Sequence, residues 1–194
     1  MLRTERLILR DWRDDDVDPF TAMSRDPEVM EFFPKLLERD EVAVITRRVR
    51  AAIALDGFGF WAVERAGELI GYCGISRVTF AAHFTPAVEI GWRFARHAWG
   101  HGYATEAARA SLEHGWAIGL QSIVAFLVPD NRRSAAVAER IGMRRDPEGD
   151  FDHPSITPGA RSVGGHPNQR HALYRLDRPL GQNSPTSVID PAKT

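Results

Sequence analysis

The hydrophobic pattern along the first half of the chain switches between the two-residue period of a strand and the longer period of a helix. Stretches 5–12, 60–78 and 86–95 are rich in β-branched and aromatic residues, which predicts strands. The middle stretch is predicted to fold as a hairpin with Ala66 and Gly67 at its turn. A helical period predicts a short helix over 17–23 and a second helix with one apolar face, formed by Val42, Ile45, Val49, Ala52 and Ile53.

The second half of the chain alternates helices with strands. Residues 102–120 have a helical face of small residues that suits close packing on a sheet, and 122–128 is a continuous apolar run typical of a buried strand. Residues 130–142 predict a capped helix that ends at Gly142, and 170–176 predict a closing strand. This order predicts an α/β fold, a mixed sheet with helices on both faces.

Two segments do not fit this pattern. Residues 146–169 have no regular period, so we expect a long connection, and long connections in compact domains are usually functional or disordered. Residues 181–194 are polar and contain Pro185 and Pro191, which predicts a loosely attached C-terminal tail. We therefore expect one domain over 1–180, followed by the tail at 181–194.

Composition narrows the classes of protein. The 194 residues include 25 Lys and Arg against 26 Asp and Glu, a net charge of -1, so nothing favours a nucleic-acid partner. No apolar run approaches the roughly 18 residues of a membrane helix, and we expect no membrane partner. The single cysteine, Cys73, excludes an internal disulfide and suits the cytoplasm. It lies mid-strand without a neighbouring base, which favours a buried apolar role over a nucleophilic one.

Gly100 and Gly102 directly precede the predicted helix that begins near residue 103. Glycine permits positive φ and removes the Cβ that would block a ligand, and helix N-termini attract anions, so the pair indicates a phosphate site. The alternative is a plain tight turn. Gly91 in the preceding strand predicts a bulge or a close backbone approach, and a bulge would splay this strand from its neighbour. A dinucleotide site is disfavoured, because the chain lacks a third glycine and an early strand–turn–helix unit.

Several stretches together resemble the GNAT N-acetyltransferases, in the branch related to the ribosomal-protein acetyltransferases RimJ and RimL. They are TERLILRDW, DPEVMEFFP, VEIGWRFARHAWGHGYATEAARA, NRRSAAVAERIGM and the final HALYRL. The resemblance implies a mostly antiparallel sheet of about six to seven strands, splayed between the fourth and the fifth. It also implies acetyl-CoA as the cosubstrate and a primary amine as the acceptor, for example a protein N-terminus or an amino acid.

The resemblance assigns the acetyl-CoA contacts to three places in the sequence. The pyrophosphate loop falls on Gly100, His101, Gly102, Tyr103, Ala104 and Thr105. The pantetheine arm is expected to pair with the backbone of Trp92, Arg93 and Phe94. Asn131 matches an asparagine that contacts the pantetheine.

Two residues are candidates for the chemistry of direct amine attack on the thioester. Ser134 lies one turn into the helix after Asn131, where the family often has a serine facing the thiol, and it is the candidate acid. Glu89, in the stretch VEIG, is the candidate base. The alternatives are a helix-start serine that hydrogen-bonds locally and a glutamate that helps to hold the sheet together. Ala138 excludes a tyrosine acid one turn after Ser134.

A non-catalytic acyl-CoA-binding module is the alternative function. We expect no metal cofactor, because the spacing of the candidate ligands matches no zinc pattern; these are Asp150, Asp152, His153, His166 and His171. We expect a monomer or a homodimer.

Overall fold

A sheet of eight strands runs through the part of the protein described by the computed structural model, residues 1–179. Its spatial order is β1-β2-β3-β4-β5-β6-β8-β7. The strands are β1 (Leu2–Arg3), β2 (Ile8–Arg10), β3 (Phe60–Arg65), β4 (Glu68–Arg77), β5 (Val88–Phe94), β6 (Ser122–Leu127), β7 (Arg144–Asp152) and β8 (Arg170–Asp177). Neighbouring strands are antiparallel, except that β5 and β6 are parallel. The predicted tail at 181–194 lies outside the described residues.

Four α-helices cover the two faces of this sheet within residues 1–179. They are α1 (Val17–Ser24), α2 (Arg39–Asp56), α3 (Tyr103–Ala117) and α4 (Arg132–Arg140). The side chains of Glu38 and Glu41 cap the start of α2 reciprocally, and Gly57 ends it with a positive φ. The predicted α/β class, with helices on both faces of a mixed sheet, is therefore confirmed. None of these helices is both long and apolar enough to span a membrane.

Two apolar clusters fix the helices on opposite faces. Under α3, the small residues Ala107, Ala108 and Ser111 are fully buried, so the helix backbone lies close to the sheet. On the other face, Trp12, Phe20 and Val42 belong to a cluster that joins α1 and α2 to the sheet. Each face buries large side chains, which is the main contribution to the stability of such a layered fold.

The sheet opens between β5 and β6. These strands pair only at Glu89 and Val124, whereas β4 and β5 pair continuously over seven residues of each strand. Past Glu89, the edge of β5 that faces β6 has no ladder partner in the described chain. This divergence lies between the fourth and fifth strands that the sequence predicted, and it creates a slot in the sheet.

Of the two alternatives predicted at Gly91, the bulge is wrong. The pairing of β5 with β4 passes through Gly91 without a shift, opposite Gly74. The ring of Phe60 covers Gly91 instead, and a Cβ at this position would lie 3.1 Å from that ring. Gly91 therefore marks a close approach of an aromatic ring rather than an extra residue in the strand.

The strand count also differs from the predicted six to seven. The N-terminal strand is divided, since the Thr4 and Leu7 main chains close a turn between β1 and β2. The segment 146–169 is not wholly irregular, because β7 extends to Asp152 and pairs with β8. The register shifts between Asp146 and Phe151, and this irregularity breaks the alternation by which a strand is recognised in a sequence.

Candidate active site

A cavity of about 620 Å³, which we call the slot cavity, extends from the diverging strands to the start of α3. Most of the residues predicted to bind the cosubstrate line it: Trp92, Arg93, Phe94, Gly100, Gly102, Tyr103, Ala104, Thr105 and Asn131. His101 is adjacent but does not line it; its carbonyl accepts a hydrogen bond from Arg6 (3.0 Å), and its ring stacks on Tyr103.

The start of α3 has the geometry of an anion site. Gly100 and Gly102 adopt φ of 81° and 79°, in the left-handed region that glycine accepts without strain. Gly102 caps α3 without a side-chain hydrogen bond, and the first helical bond runs from the Glu106 N–H to the Gly102 carbonyl (3.0 Å). The N–H groups of residues 103–105 therefore lack acceptors within the helix and are available to a bound phosphate.

Arginines surround the slot cavity and make it locally positive in a chain of nearly zero net charge. Arg132, Arg133 and Arg140, all on α4, line it together with Arg93. Arg133 lies 4.5 Å from the ring centroid of Trp99 and forms an ion pair with Glu31. Such a field favours a polyanionic ligand. The three arginines of α4 were not predicted as site residues, although Arg132 and Arg133 directly follow Asn131 in the sequence, which was a usable signal.

Asn131 and Ser134 stand at the start of α4. The Asn131 Oδ1 accepts a hydrogen bond from the Ser134 backbone N–H (3.1 Å), so the asparagine caps the helix. Its amide NH₂ stays available as a donor. Within residues 1–179 no hydrogen bond occupies the Ser134 hydroxyl, so the local bond offered as the alternative role of this hydroxyl is not formed.

A second cavity of about 390 Å³, which we call the aromatic cavity, adjoins the slot cavity. Phe32, Phe33, Trp92, Asn131 and Ser134 line both cavities. The remaining wall of the aromatic cavity is largely apolar, with a few polar groups; it includes Phe60, Tyr72, Glu89, Phe126, His153, Ser155, Ile156 and His171. The candidate acid therefore stands where the cavities meet, and the candidate base faces the aromatic one.

Glu89 is a half-buried carboxyl without an ion-pair or hydrogen-bonding side-chain partner among residues 1–179. Burial raises the pKa of this carboxyl to about 8. Its side chain therefore makes no bond that would hold the sheet together, which was the alternative role. A carboxyl with such a pKa can exchange a proton near neutral pH.

His153 and His171 are uncharged at neutral pH. Burial lowers the pKa of both imidazoles, that of His171 to about 4. Their ring centroids are 5.2 Å apart beside Phe126. The other residues considered as metal ligands lie in separate ion pairs: Asp150 with Arg145, Asp152 with Arg170, and His166 with Glu31 and Asp130. No group of three or more potential ligands forms within the described chain.

Arg93 and Cys73 are buried groups of different character. The Arg93 guanidinium carbon lies 3.8 Å from the ring centroid of Phe33, and its Nε and Nη1 are buried without hydrogen-bond partners. Burial lowers the pKa of Arg93, and the neighbouring Tyr72 hydroxyl opposes that shift. Cys73 is fully buried, and burial raises the pKa of its thiol to about 12, so it is not a nucleophile at neutral pH.

Comparison with known proteins agrees with this fold. Residues 6–144 match the family described as Acetyltransferase (GNAT) domain, and the chain belongs to this family of acetyltransferases. It is 36% identical over 146 residues to the uncharacterized protein YkkB of Bacillus subtilis (strain 168), which covers 73% of this chain and 84% of YkkB. It is 30% identical over 149 residues to the uncharacterized N-acetyltransferase YnaD of the same organism, covering 75% and 83% of the two chains.

Solved structures share the fold. Mycobacterium smegmatis RimJ in complex with CoA-disulfide superposes with a TM-score of 0.69 at 24% identity, covering 88% of this chain and 81% of that one. The resemblance to the GNAT acetyltransferases is thereby confirmed, and a RimJ protein is among the chains that have this fold.

Proposed function

We propose that the protein transfers the acetyl group of acetyl-CoA to a primary amine, by direct attack within a ternary complex. The observation that carries the proposal is the meeting of two cavities at Ser134. One cavity ends at the open N-terminus of a helix, and the other contains the Glu89 carboxyl, whose pKa is raised to about 8 by burial. Two similar proteins support this proposal: YnaD is named an N-acetyltransferase, and the RimJ structure contains CoA-disulfide.

The residues of the slot cavity fit acetyl-CoA. The N–H groups at residues 103–105 and the arginines of α4 suit its phosphates. The unpaired edge of β5 at Trp92–Phe94 suits the amides of the pantetheine arm, which would add to the sheet as a short strand does. The Asn131 amide is placed to donate to the same arm.

The proposed chemistry uses one proton donor and one proton acceptor. The amine nitrogen forms a bond to the thioester carbon, and the bond from that carbon to sulfur breaks. Glu89 takes the proton that the amine releases, and the Ser134 hydroxyl gives a proton to the departing thiolate; Ser134 then regains a proton from solvent and Glu89 returns its proton to solvent. A backbone N–H on the exposed edge of β5 polarises the carbonyl. Cys73 has no part in this route.

Calorimetry with CoA and a thiol-release assay with acetyl-CoA test the proposal together. The acceptor panel contains N-terminal peptides, amino acids, polyamines, aminoglycosides and simple amines, and mass spectrometry identifies any N-acetylated product. We expect CoA binding and acceptor-dependent thiol release. Binding without release for any acceptor would instead establish a non-catalytic acyl-CoA-binding module. Failure to bind CoA would contradict the assignment of the slot cavity.

A further inference from the structure

The charges that line the aromatic cavity are few. Glu89 is the one carboxylate among its lining residues in the described chain, and no lysine or arginine is among them. The nearest arginine, Arg93, lines the slot cavity and lies behind the aromatic wall, with its guanidinium carbon 3.8 Å from the ring centroid of Phe33 and 5.4 Å from that of Tyr72. The two imidazoles in the wall are uncharged at neutral pH, because burial lowers the pKa of His153 and His171. The residues that line this cavity therefore offer a bound molecule one ionisable carboxyl and no cationic side chain.

Aromatic side chains form most of the remaining surface. Phe60, Tyr72 and Trp92 rise from neighbouring strands of the sheet, and Phe126 closes the other side against the rings of His153 and His171. Phe32 and Phe33 extend from the connection between α1 and α2. A volume of about 390 Å³ is near the lower end of small-molecule sites, which run from roughly 300 to 1,000 Å³. The walls thus suit a compact apolar body.

A second charge on the acceptor would have no partner here. A second ammonium group would be moved from water into an aromatic environment without another carboxylate. A carboxylate on the acceptor would lie in the same cavity as Glu89, and it would be repelled whenever Glu89 is ionised, because the nearest cation, Arg93, lies behind the rings of Phe33 and Tyr72 and not among the lining residues. Both penalties arise from the lining residues alone, so the cavity discriminates by charge number as well as by shape.

We propose that the acceptor is a small primary amine with a single ionisable group and a compact aromatic or apolar body. This inference rests on the proposed acetyl transfer and names its acceptor class. The ammonium group approaches Glu89, the apolar body contacts the aromatic wall, and the neutral amine then meets the thioester beside Ser134. Diamines, polyamines and free amino acids are disfavoured acceptors.

Two matched pairs of amines test the proposal, because the members of each pair differ in one charged group. Hexylamine is compared with 1,6-diaminohexane, and phenethylamine with phenylalanine, at pH 8, where free imidazoles are uncharged. We expect kcat/KM for the singly charged amine to be at least about tenfold higher in both pairs. Equal values, or a preference for the doubly charged member, would overturn the proposal.

A variant pair shows whether the cavity causes the preference. Ser155 is exposed on the loop after β7 and lines the aromatic cavity; in the sheet, β7 is the third strand from β5. Thr157 is exposed on the same loop but does not line the cavity. Ser155→Asp adds a second carboxylate and is expected to reduce the hexylamine preference at least fivefold. Thr157→Asp adds the same charge nearby and is expected to leave the preference within twofold of the wild type. Equal effects of both variants would contradict the role of the cavity.

Binding separates failure of this inference from failure of the proposed function. The same four amines are titrated calorimetrically into CoA-saturated wild-type protein. Tighter binding of hexylamine and phenethylamine supports the acceptor class even without turnover, whereas turnover without charge discrimination refutes the acceptor class and preserves the acetyl transfer. Absence of binding by all four amines, in protein that binds CoA, overturns the acceptor class as well.

Discussion

The carboxyl of Glu89 combines two properties that a structural glutamate rarely has. Partial burial raises its pKa to about 8, and within residues 1–179 it has no cationic or hydrogen-bonding side-chain partner. Keeping such a group without a partner costs stability whenever it ionises. The cost is understandable if the carboxyl meets an ammonium ion during turnover, because the ligand then supplies the missing positive charge.

Glu89→Gln is expected to change the free energy of unfolding by an amount that depends on pH. The folded-state pKa of about 8 exceeds the ordinary value of 4.5, so the folded protein binds the extra proton and the wild type loses stability as pH rises from about 4.5 to 8. The glutamine variant lacks this loss. Its unfolding free energy should therefore exceed that of the wild type by an amount that grows across this interval, measured by urea denaturation.

Activity measurements give the second readout for Glu89. Removal of a general base typically costs about a hundredfold or more, so kcat/KM of the glutamine variant at pH 8 should fall by that factor. Glu113→Gln, an exposed change on α3 outside both cavities, is the control. A stability difference that is constant with pH, or activity equal to that of the control, would refute the assigned role.

Ser134→Ala is expected to lower kcat more than it raises the KM for acetyl-CoA. A proton delivered to the thiolate acts in the transition state and not in ground-state binding, and such effects are commonly about a hundredfold. Steady-state kinetics measure both constants, and Ser134→Thr, which retains a hydroxyl, should recover part of the rate. Turnover equal to the wild type in the alanine variant would reduce Ser134 to a residue of the helix start.

Among the elements, the start of α3 tests the binding of acetyl-CoA most cleanly. A Cβ at Gly102 would have only the tip of the Arg6 side chain within 4 Å, at 3.6 Å, so its effect comes from positive φ and from obstruction of a ligand. Gly102→Val is expected to weaken acetyl-CoA binding at least about tenfold, or 1.4 kcal/mol, in calorimetry.

Gly119 provides a matched control for that change. It has a positive φ of 94°, has nothing within 4 Å of a built Cβ, and lies beyond the other end of α3. Gly119→Val should introduce comparable backbone strain and leave the acetyl-CoA affinity near that of the wild type. Equal losses of affinity in both variants would show that strain, and not obstruction at the helix start, is the cause.

The connection between β7 and β8 is the element that joins the rest of the chain to the aromatic cavity. Val163 and Gly164 donate backbone hydrogen bonds to Phe33 (2.9 Å) and Glu31 (2.8 Å), and His166 lies between Glu31 and Asp130. Replacing residues 157–165 with a Gly-Ser linker should release the segment that carries Phe32 and Phe33. Acceptor kcat/KM is expected to fall at least about tenfold, with acetyl-CoA affinity within threefold of the wild type.

Kinetics across the acceptor panel and calorimetry measure these two quantities separately. The replacement must leave β7 intact, because this strand occupies most of the first part of the segment that the sequence analysis described as irregular. Unchanged kinetics for every acceptor would establish that the connection has no part in acceptor binding.

The sequence predicted those elements whose signals are local. The glycines before α3 and the asparagine cap of α4 depend on backbone geometry within a few residues, and both positions are as expected. β7 escaped prediction because its irregular pairing around Asp146 breaks the alternation. Two features depend on strand pairing, which the periodicity of a sequence does not reveal. They are the contact of the Phe60 ring with Gly91 and the grouping of six aromatic side chains around one cavity.

At the scale of the whole molecule, the divergence of β5 from β6 organises the site. It exposes the edge of β5 toward one cavity and places Glu89 at the point where pairing ends, facing the other cavity. α3 and α4 then bring a helix N-terminus with free N–H groups and the Ser134 hydroxyl to the same region from one face of the sheet, while the α1–α2 connection covers it from the other.

Transfer of an isotopically labelled acetyl group tests the central proposal most directly. Acetyl-CoA labelled in the acetyl group is incubated with the protein and phenethylamine while both concentrations are varied, and mass spectrometry and a thiol assay measure the products. We expect labelled N-acetylphenethylamine in a one-to-one ratio with CoA thiol, intersecting double-reciprocal plots and no acetylated protein intermediate. Thiol release without the labelled amide, or parallel plots with label on the protein, would contradict direct transfer in a ternary complex.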